Sequence, residues 1–313
     1  MTDAGHLRLG SRGSALALWQ TRHVADALCR LHPGLTTEIV VIKTTGDKIL
    51  DVPLARIGDR GLFVKEIEEA LLAGTIDLAV HSLKDLPTQL PAGLSVAAVL
   101  PREDARDCVV SVRFAQLASM PAGTVVGTSS LRRRAQLQRA FPQLAFADVR
   151  GNLQTRLAKL ERGEYDALVL AAAGLTRLDL AARITEYLPP DICLPAVGQG
   201  VLAVECRAAD ARVQQLLAPL EDGEARACVL AERSLLAALE GGCQVPIAAH
   251  ATCHDGELHL TGLVAALTGS PCLRFSESGT TDAAVSLGQR VAQQLRAQGA
   301  DELLEHVRRG ALS

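Results

Sequence analysis

The chain of 313 residues is long enough for two or three domains, each with a core of its own. With 48% hydrophobic and 21% charged residues it is expected to be globular; no apolar run reaches the roughly 18 residues of a membrane span, and "MTDAGHLRLG" lacks a secretory apolar stretch. A formal charge of −3 argues against a generally basic nucleic-acid binder, and eight cysteines without C-x-x-C spacing fit reduced thiols, so a cytoplasmic protein without a metal centre is expected.

From the N-terminus, "LRLG" and "ALALWQTRHVADALCRL" predict a strand and a helix, with Ser14 as N-cap and Ala17, Val24, Leu28 and Leu31 on the apolar face. "TEIVVIK" predicts a second strand, "LFVKEIEEALLAG" a helix with Phe63, Ile67 and Leu71 in line and Gly74 as its stop, and "IDLAV" a third strand. This order argues for a mostly parallel sheet with helices on its faces. The connection Thr44–Gly61 is long and charged, as in a mobile lid or binding segment; a disordered insertion is the alternative.

After a break near Leu100–Asp107, "TVVGTSSLRRRAQLQRAF", "LAFADVRGNLQTRLAKLERG" and "DALVLAAAGLTRL" predict a second α/β series, and "LPAVGQGVLAVECR" suits a chain crossing back between domains. The tail from about Asp222 has one helix, the alternating strand "ELHLTGLVAA", a strand near "CLRFSES" and an amphipathic helix from about Thr281. The expected division is a first domain of residues 1–100 and 200–218, a second of 105–194, and a small α+β domain of 222–313.

In "VVGTSSLRRRAQ" a strand ends in Gly127, Thr128, Ser129 and Ser130 and a helix opens at Leu131, so backbone N–H groups and hydroxyls converge at the positive end of a helix dipole. Arg132, Arg133 and Arg134 fall in the first helical turn, the wrong end for cations unless an anion is bound. The run reads either as a solvated basic face or as a carboxylate or phosphate site, and three arginines beside three hydroxyls favour the second. Arg150, before the N-cap Asn152, and Arg156 occupy the next equivalent turn, while Arg12 and Ser14 occupy the corresponding turn of the first domain. Such turns in two successive α/β domains imply an anionic ligand in a cleft between them.

"AVHSLKDLP" ends the third strand with Lys84 and Asp85 adjacent: a surface ion pair, or a carboxylate that holds a substrate N–H and stabilises a developing cation. In "EGGCQV", Cys243 follows two glycines at a helix exit, where the dipole disfavours a thiolate. That placement suits an attachment point better than a turnover nucleophile, with a small buried hydrophobe as the alternative. A metal site from Cys243, His250, Cys253 and His254 matches no common zinc spacing.

Taken in order, "GSRGSALALWQ", "GLFVKEIEEALL", "AVHSLKDLP", "REDARD", "GTSSLRRRAQL", "VRGNLQTRLAKL", "PAVGQG" and "EGGCQVPI" closely resemble the porphobilinogen deaminase (hydroxymethylbilane synthase) family. The resemblance runs from about Leu7 to the last domain and implies a transferase of tetrapyrrole biosynthesis. Such an enzyme condenses four porphobilinogens head to tail, releases ammonia at each step and frees hydroxymethylbilane. It implies two α/β domains of the type-2 periplasmic-binding-protein kind flanking a cleft, plus the small C-terminal α+β domain, in a monomer with no nucleic-acid or membrane partner.

The same resemblance implies a dipyrromethane cofactor joined to Cys243 by a thioether. Lys84, Thr128, Ser129, Ser130, Arg132, Arg133, Arg150 and Gln199 would bind it. Arg12, Ser14, Phe63, Arg150 and Arg156 would bind substrate, and Asp85 would contact pyrrole nitrogens and assist loss of ammonia. Thr44–Gly61 matches the family's mobile lid, with Arg56 and Arg60 where many members have lysine. A cleft protein that only captures a di- or tricarboxylate is the alternative of another class; it would need neither Cys243 nor Asp85.

Overall fold

The computed structural model describes residues 5–48, 64–239 and 245–312. Phe63, Cys243 and most of the Thr44–Gly61 connection, Arg56 and Arg60 included, lie outside them; of that connection, Thr45–Lys48 is one helical turn. The chain forms two compact units, one of residues 1–50, 60–103 and 201–226, the other of residues 51–59, 104–200 and 227–313.

In the first unit, with strands numbered along the whole chain, β1 (His6–Ser11), β2 (Thr36–Val41), β3 (Leu78–Ser82), β4 (Leu94–Val99) and β10 (Leu202–Arg207) make a sheet in the order β2-β1-β3-β10-β4. β1 pairs parallel with β2 and β3, and β10 runs antiparallel to both β3 and β4. Helix α1 (Ala15–Leu31) covers one face, where Val24 and Leu28 meet Leu7, Leu9, Leu78, Val80, Leu202 and Val204. Helix α2 (Lys65–Leu72) covers the other, where Ile67 and Leu71 meet Ile76, Ala79 and Leu94.

Local chemistry explains both helices. Ser14 caps α1 by accepting the Ala17 N–H, as expected of a hydroxyl at that position. The buried stripe is centred on Thr21, Val24, Ala25 and Leu28, so the expected face shifts: Leu31 is 45% exposed and Ala17 only half-buried. Gly74, at φ +69°, turns the chain out of α2 in a conformation that a side chain would strain.

The second unit holds β5 (Asp107–Ser111), β6 (Val125–Gly127), β7 (Ala145–Ala147), β8 (Ala167–Ala171) and β9 (Glu186–Tyr187) in the order β7-β6-β8-β5-β9. β6 is parallel to β7 and β8, whereas β5 is antiparallel to β8 and β9. The two five-stranded sheets therefore share one topology. Each contains one antiparallel strand, formed directly after the chain passes from one unit to the other, within the mostly parallel sheet that the sequence predicts. Helices α3 (Leu131–Ala140) and α4 (Leu153–Glu161) follow β6 and β7.

The same unit contains a three-stranded antiparallel sheet of β11 (Ile247–His254), β12 (Glu257–Ala265) and β13 (Cys272–Thr280), with α5 (Gly223–Ala238) and α6 (Ala284–Ala297) packed on it through Ala231, Leu235, Leu287, Val291 and Leu295. Ala135 of α3 and Leu194 pack against Ala248, Leu263 and Ala265 of this sheet. The sequence alone predicts no strand at β4, β5, β9 or β11; "DCVVS" and "IAAHATCH" are buried runs without clear alternation. It also has no second C-terminal helix, found at α7 (Ala300–Leu312).

Candidate active site

In the first unit, parallel pairing puts the turns after β1 and β3 on one edge of the sheet. Arg12 and Ser14 stand on the first turn and Lys84 and Asp85 on the second. Ser11, fully buried, accepts the Thr21 hydroxyl at 2.9 Å and donates to Arg12 O, which fixes the backbone under Arg12. Leu83–Asp85 is a single 3-10 turn, anchored by buried Leu83, whose N–H donates to Val201 O at 3.0 Å. From this anchor Asp85 projects into solvent and Lys84 is half-buried. Just before the turn, Gln20 of α1 donates to the Ser82 hydroxyl at 2.9 Å.

In the second unit, the turns after β6 and β7 are laced together. Thr128 N–H donates to Ala147 O at 2.8 Å, and the Ser129 hydroxyl donates to Val149 O while accepting Val149 N–H. Ser130 caps α3 by accepting Arg133 N–H, and Asn152 caps α4 by accepting Thr155 N–H at 2.9 Å. Gly151, at φ +109°, lets the chain turn between half-buried Arg150 and this cap. Arg156, also half-buried, donates from Nε to Gly151 O. The expected ligand donor Ser129 is thus a brace between two turns, its hydroxyl proton given to a carbonyl. Thr128 and Ser130 only accept in these contacts, from Ser130 N–H and Arg133 N–H.

The three consecutive arginines separate by burial. Arg134 is exposed, whereas Arg132 and Arg133 are 5% and 7% exposed and converge on fully buried Asp107, the first residue of β5. Arg132 Nη1 donates to Asp107 Oδ2 at 2.6 Å and to Leu194 O at 2.7 Å. Arg133 donates to Asp107 Oδ1 from Nε and Nη2, at 3.0 and 2.8 Å, and to Val169 O from Nη1. Burial alone would raise the Asp107 pKa, but the two guanidiniums outweigh it and hold the carboxyl well below its usual range. Burial pushes the neighbouring Cys193 thiol, which donates to Asp107 Oδ2, upward.

Asp107 is the partner of these arginines that sequence reasoning misses. "REDARD" displays it, but its partners lie 25 and 26 residues away. The pairing involves two residues that the resemblance implies in cofactor binding. Arg133 is committed to Asp107 and a carbonyl, and Gln199 is buried, its amide donating to Ala105 O at 2.7 Å and Asp107 Oδ1 at 2.8 Å. Two guanidiniums against one carboxylate leave one positive charge, and Arg132 Nε and Nη2 have no hydrogen-bond partner among the described residues. That surplus at a helix N-terminus fits a carboxylate-bearing group.

Comparison with known proteins agrees with this chemistry. The profile of "Porphobilinogen deaminase, dipyromethane cofactor binding domain" matches residues 7–215, and that of "Porphobilinogen deaminase, C-terminal domain" matches residues 226–297. Porphobilinogen deaminase of Synechococcus elongatus is 55% identical over 98% of this chain and 97% of its own length. The proteins of that name from Syntrophobacter fumaroxidans and Chromobacterium violaceum are 51% and 54% identical, covering 99% and 96% of this chain and 100% and 97% of theirs. Among solved structures, the methionine binding protein MetQ aligns over 72% of this chain and 93% of its own at 14% identity and a TM-score of 0.44. With both profiles matched and near-full-length identity above half, the chain belongs to the porphobilinogen deaminase family.

Proposed function

We propose that the chain carries out the family's reaction, joining four porphobilinogens head to tail with loss of ammonia at each addition, from a dipyrromethane primer held on Cys243. The observation that carries this reading is the buried Arg132–Asp107–Arg133 group, whose single surplus positive charge suits a chain of pyrroles bearing acetate and propionate. The dipyrromethane would supply the free pyrrole α-carbon that accepts the first unit, and the terminal ring of the lengthening chain would supply it for each later one. Arg132, Arg150 and Arg156 hold carboxylates on the second-unit turns, with the Thr128 and Ser130 hydroxyls as further donors. Arg12, Ser14 and Lys84 do so on the first-unit edge, and Phe63 belongs to the substrate-binding set.

Asp85 is the catalytic carboxylate. Loss of ammonia leaves positive charge spread over the pyrrole ring and its nitrogen, so a fixed anion at N–H distance stabilises the transition state more than the neutral ground state. Its exposure on a turn pinned at Leu83 supports this role, since the anion is held in place yet reachable. The assignment of residues 1–100 and 200–218, 105–194 and 222–313 to three domains, a monomeric state and a cytoplasmic location complete the proposal.

Intact mass of the purified protein, before and after porphobilinogen, tests the reading. A dipyrromethane's added mass should map to the Cys243 peptide and vanish in Cys243→Ser, which should also be inactive. An unmodified, active chain, or the added mass on another peptide, would overturn it.

A further inference from the structure

On the α2 face of the first sheet, away from the arginine turns, three titratable side chains are buried together. His81 of β3 and Glu205 of β10 lie on one face of the antiparallel pair, with His81 Nε2 3.0 Å from Glu205 Oε2. Glu68, on the buried side of α2 with Ile67 and Leu71, interacts electrostatically with both His81 and Glu205. His81 and Glu205 are within ion-pair distance, but their alignment falls short of a hydrogen bond. Glu68 Oε1, both Glu205 oxygens and His81 Nε2 have no hydrogen-bond partner among the described residues.

We propose that Glu68, His81 and Glu205 form a proton-sharing latch that clamps α2 onto β3 and β10, making His81 a positioning residue for the turn that carries Asp85. Two ionised carboxylates against one imidazolium would leave a negative charge in an apolar setting, which is costly, whereas one retained proton makes the group neutral. The placement gives the latch its consequence. Asp85 follows His81 by four residues, and the intervening Ser82 is held from the opposite face of the sheet by Gln20. The end of β3 is therefore gripped from both sides, by a neutral hydrogen bond on the α1 face and by a titratable group on the α2 face.

The surrounding charges leave this group to itself. On α2, Lys65 and Glu69 are exposed and 3.9 Å apart, and Glu66 accepts the N–H and hydroxyl of Thr45. Arg8 of β1 pairs with Asp77, which precedes β3, at 2.8 Å. Arg207 of β10 donates to Leu71 O and Ile76 O and lies 3.5 Å from Asp77, while β4 carries no charged residue. Burial first, and then Glu205, raise the Glu68 pKa, with His81 opposing. The sign follows: the folded chain holds this proton more tightly than the unfolded one, so its contribution weakens as pH rises from the ordinary carboxyl value through the folded one.

The proposal rests on the reading of Asp85 above, and its test separates the two. Full-length, cofactor-loaded protein is melted across about pH 5 to 9, wild type beside Glu68→Gln, which mimics the protonated acid. The variant should match wild type at the acid end and melt about 2–4 °C higher at the alkaline end. A difference that stays constant with pH overturns the latch. For positioning, His81→Gln should lower kcat about 10–100-fold with KM and cofactor mass unchanged, and Glu68→Gln should extend the alkaline limb of the kcat profile. Wild-type kcat per folded molecule in His81→Gln, or an unmoved profile in Glu68→Gln, overturns the positioning role; the latter also decides if the histidine variant does not fold. If Asp85→Asn keeps the wild-type rate while the pH-dependent melting difference persists, the catalytic reading fails and the latch stands.

Discussion

The two five-stranded sheets share a topology, and each buries a carboxylate on its one antiparallel strand: Asp107 on β5 and Glu205 on β10, both fully buried. Asp107 is matched by two guanidiniums that never lose their charge, so the group keeps a surplus positive charge across the physiological range. Glu205 has an imidazole and a second carboxyl, groups whose charge depends on pH. The same scaffold thus builds a permanent electrostatic fixture in one sheet and a protonation-dependent one in the other.

Asp107→Ala is the most severe way to break the comparison, since it strands two buried guanidiniums. A loss of about 3–5 kcal/mol is expected in denaturant unfolding of the full chain. A loss below about 1 kcal/mol would mean that the arginines find other partners and that the fixture is not fixed. Asp85→Asn probes the other sheet at nearly the same scale. Single-turnover ammonia release should fall about 10²–10³-fold, while thermal stability stays near wild type because the side chain is exposed.

The pH dependence of stability sharpens the contrast. Asp107, with its folded pKa held down, contributes stability that is present above the ordinary carboxyl value and lost as pH falls through the folded one. Asp107→Asn should therefore be less stable than wild type by a margin that is full above the ordinary carboxyl value and narrows below it, whereas Glu68→Gln should become more stable than wild type as pH rises. A parallel pair of curves would remove the distinction between the two buried groups.

Smaller effects concern the turns. Ser130→Ala and Asn152→Ala each remove an N-cap and should cost about 1 kcal/mol, read as a lowered Tm. Arg134→Gln should change stability by no more than about 0.5 kcal/mol and leave cofactor mass unaltered, because Arg134 is the exposed member of the run. A large loss there would show that burial does not separate the three arginines in function.

That separation marks where the sequence stopped being legible. Three adjacent arginines look alike in "SLRRRAQ", and their helical position predicts a bound anion for all of them. The protein itself supplies an anion to two, from a strand that its unpatterned apolar run concealed. Gln199, which the resemblance implies in cofactor binding, is buried between two glycines with its amide donating to Asp107, a contact that the local sequence does not record.

By itself the sequence determined what depends on neighbours within a few residues: the alternation of strands and helices, the caps at Ser14 and Asn152, the stop at Gly74, and motifs specific enough to name the family. These follow from backbone geometry and local hydrogen bonding, which a short window contains. Tertiary structure alone decided the direction of β5 and β10, the partner of Arg132 and Arg133, and the meeting of His81 with Glu205 and Glu68. Such pairings depend on which strands become neighbours and in what register. A charge buried on one strand is compensated only by what the fold brings beside it, and no local pattern records that choice.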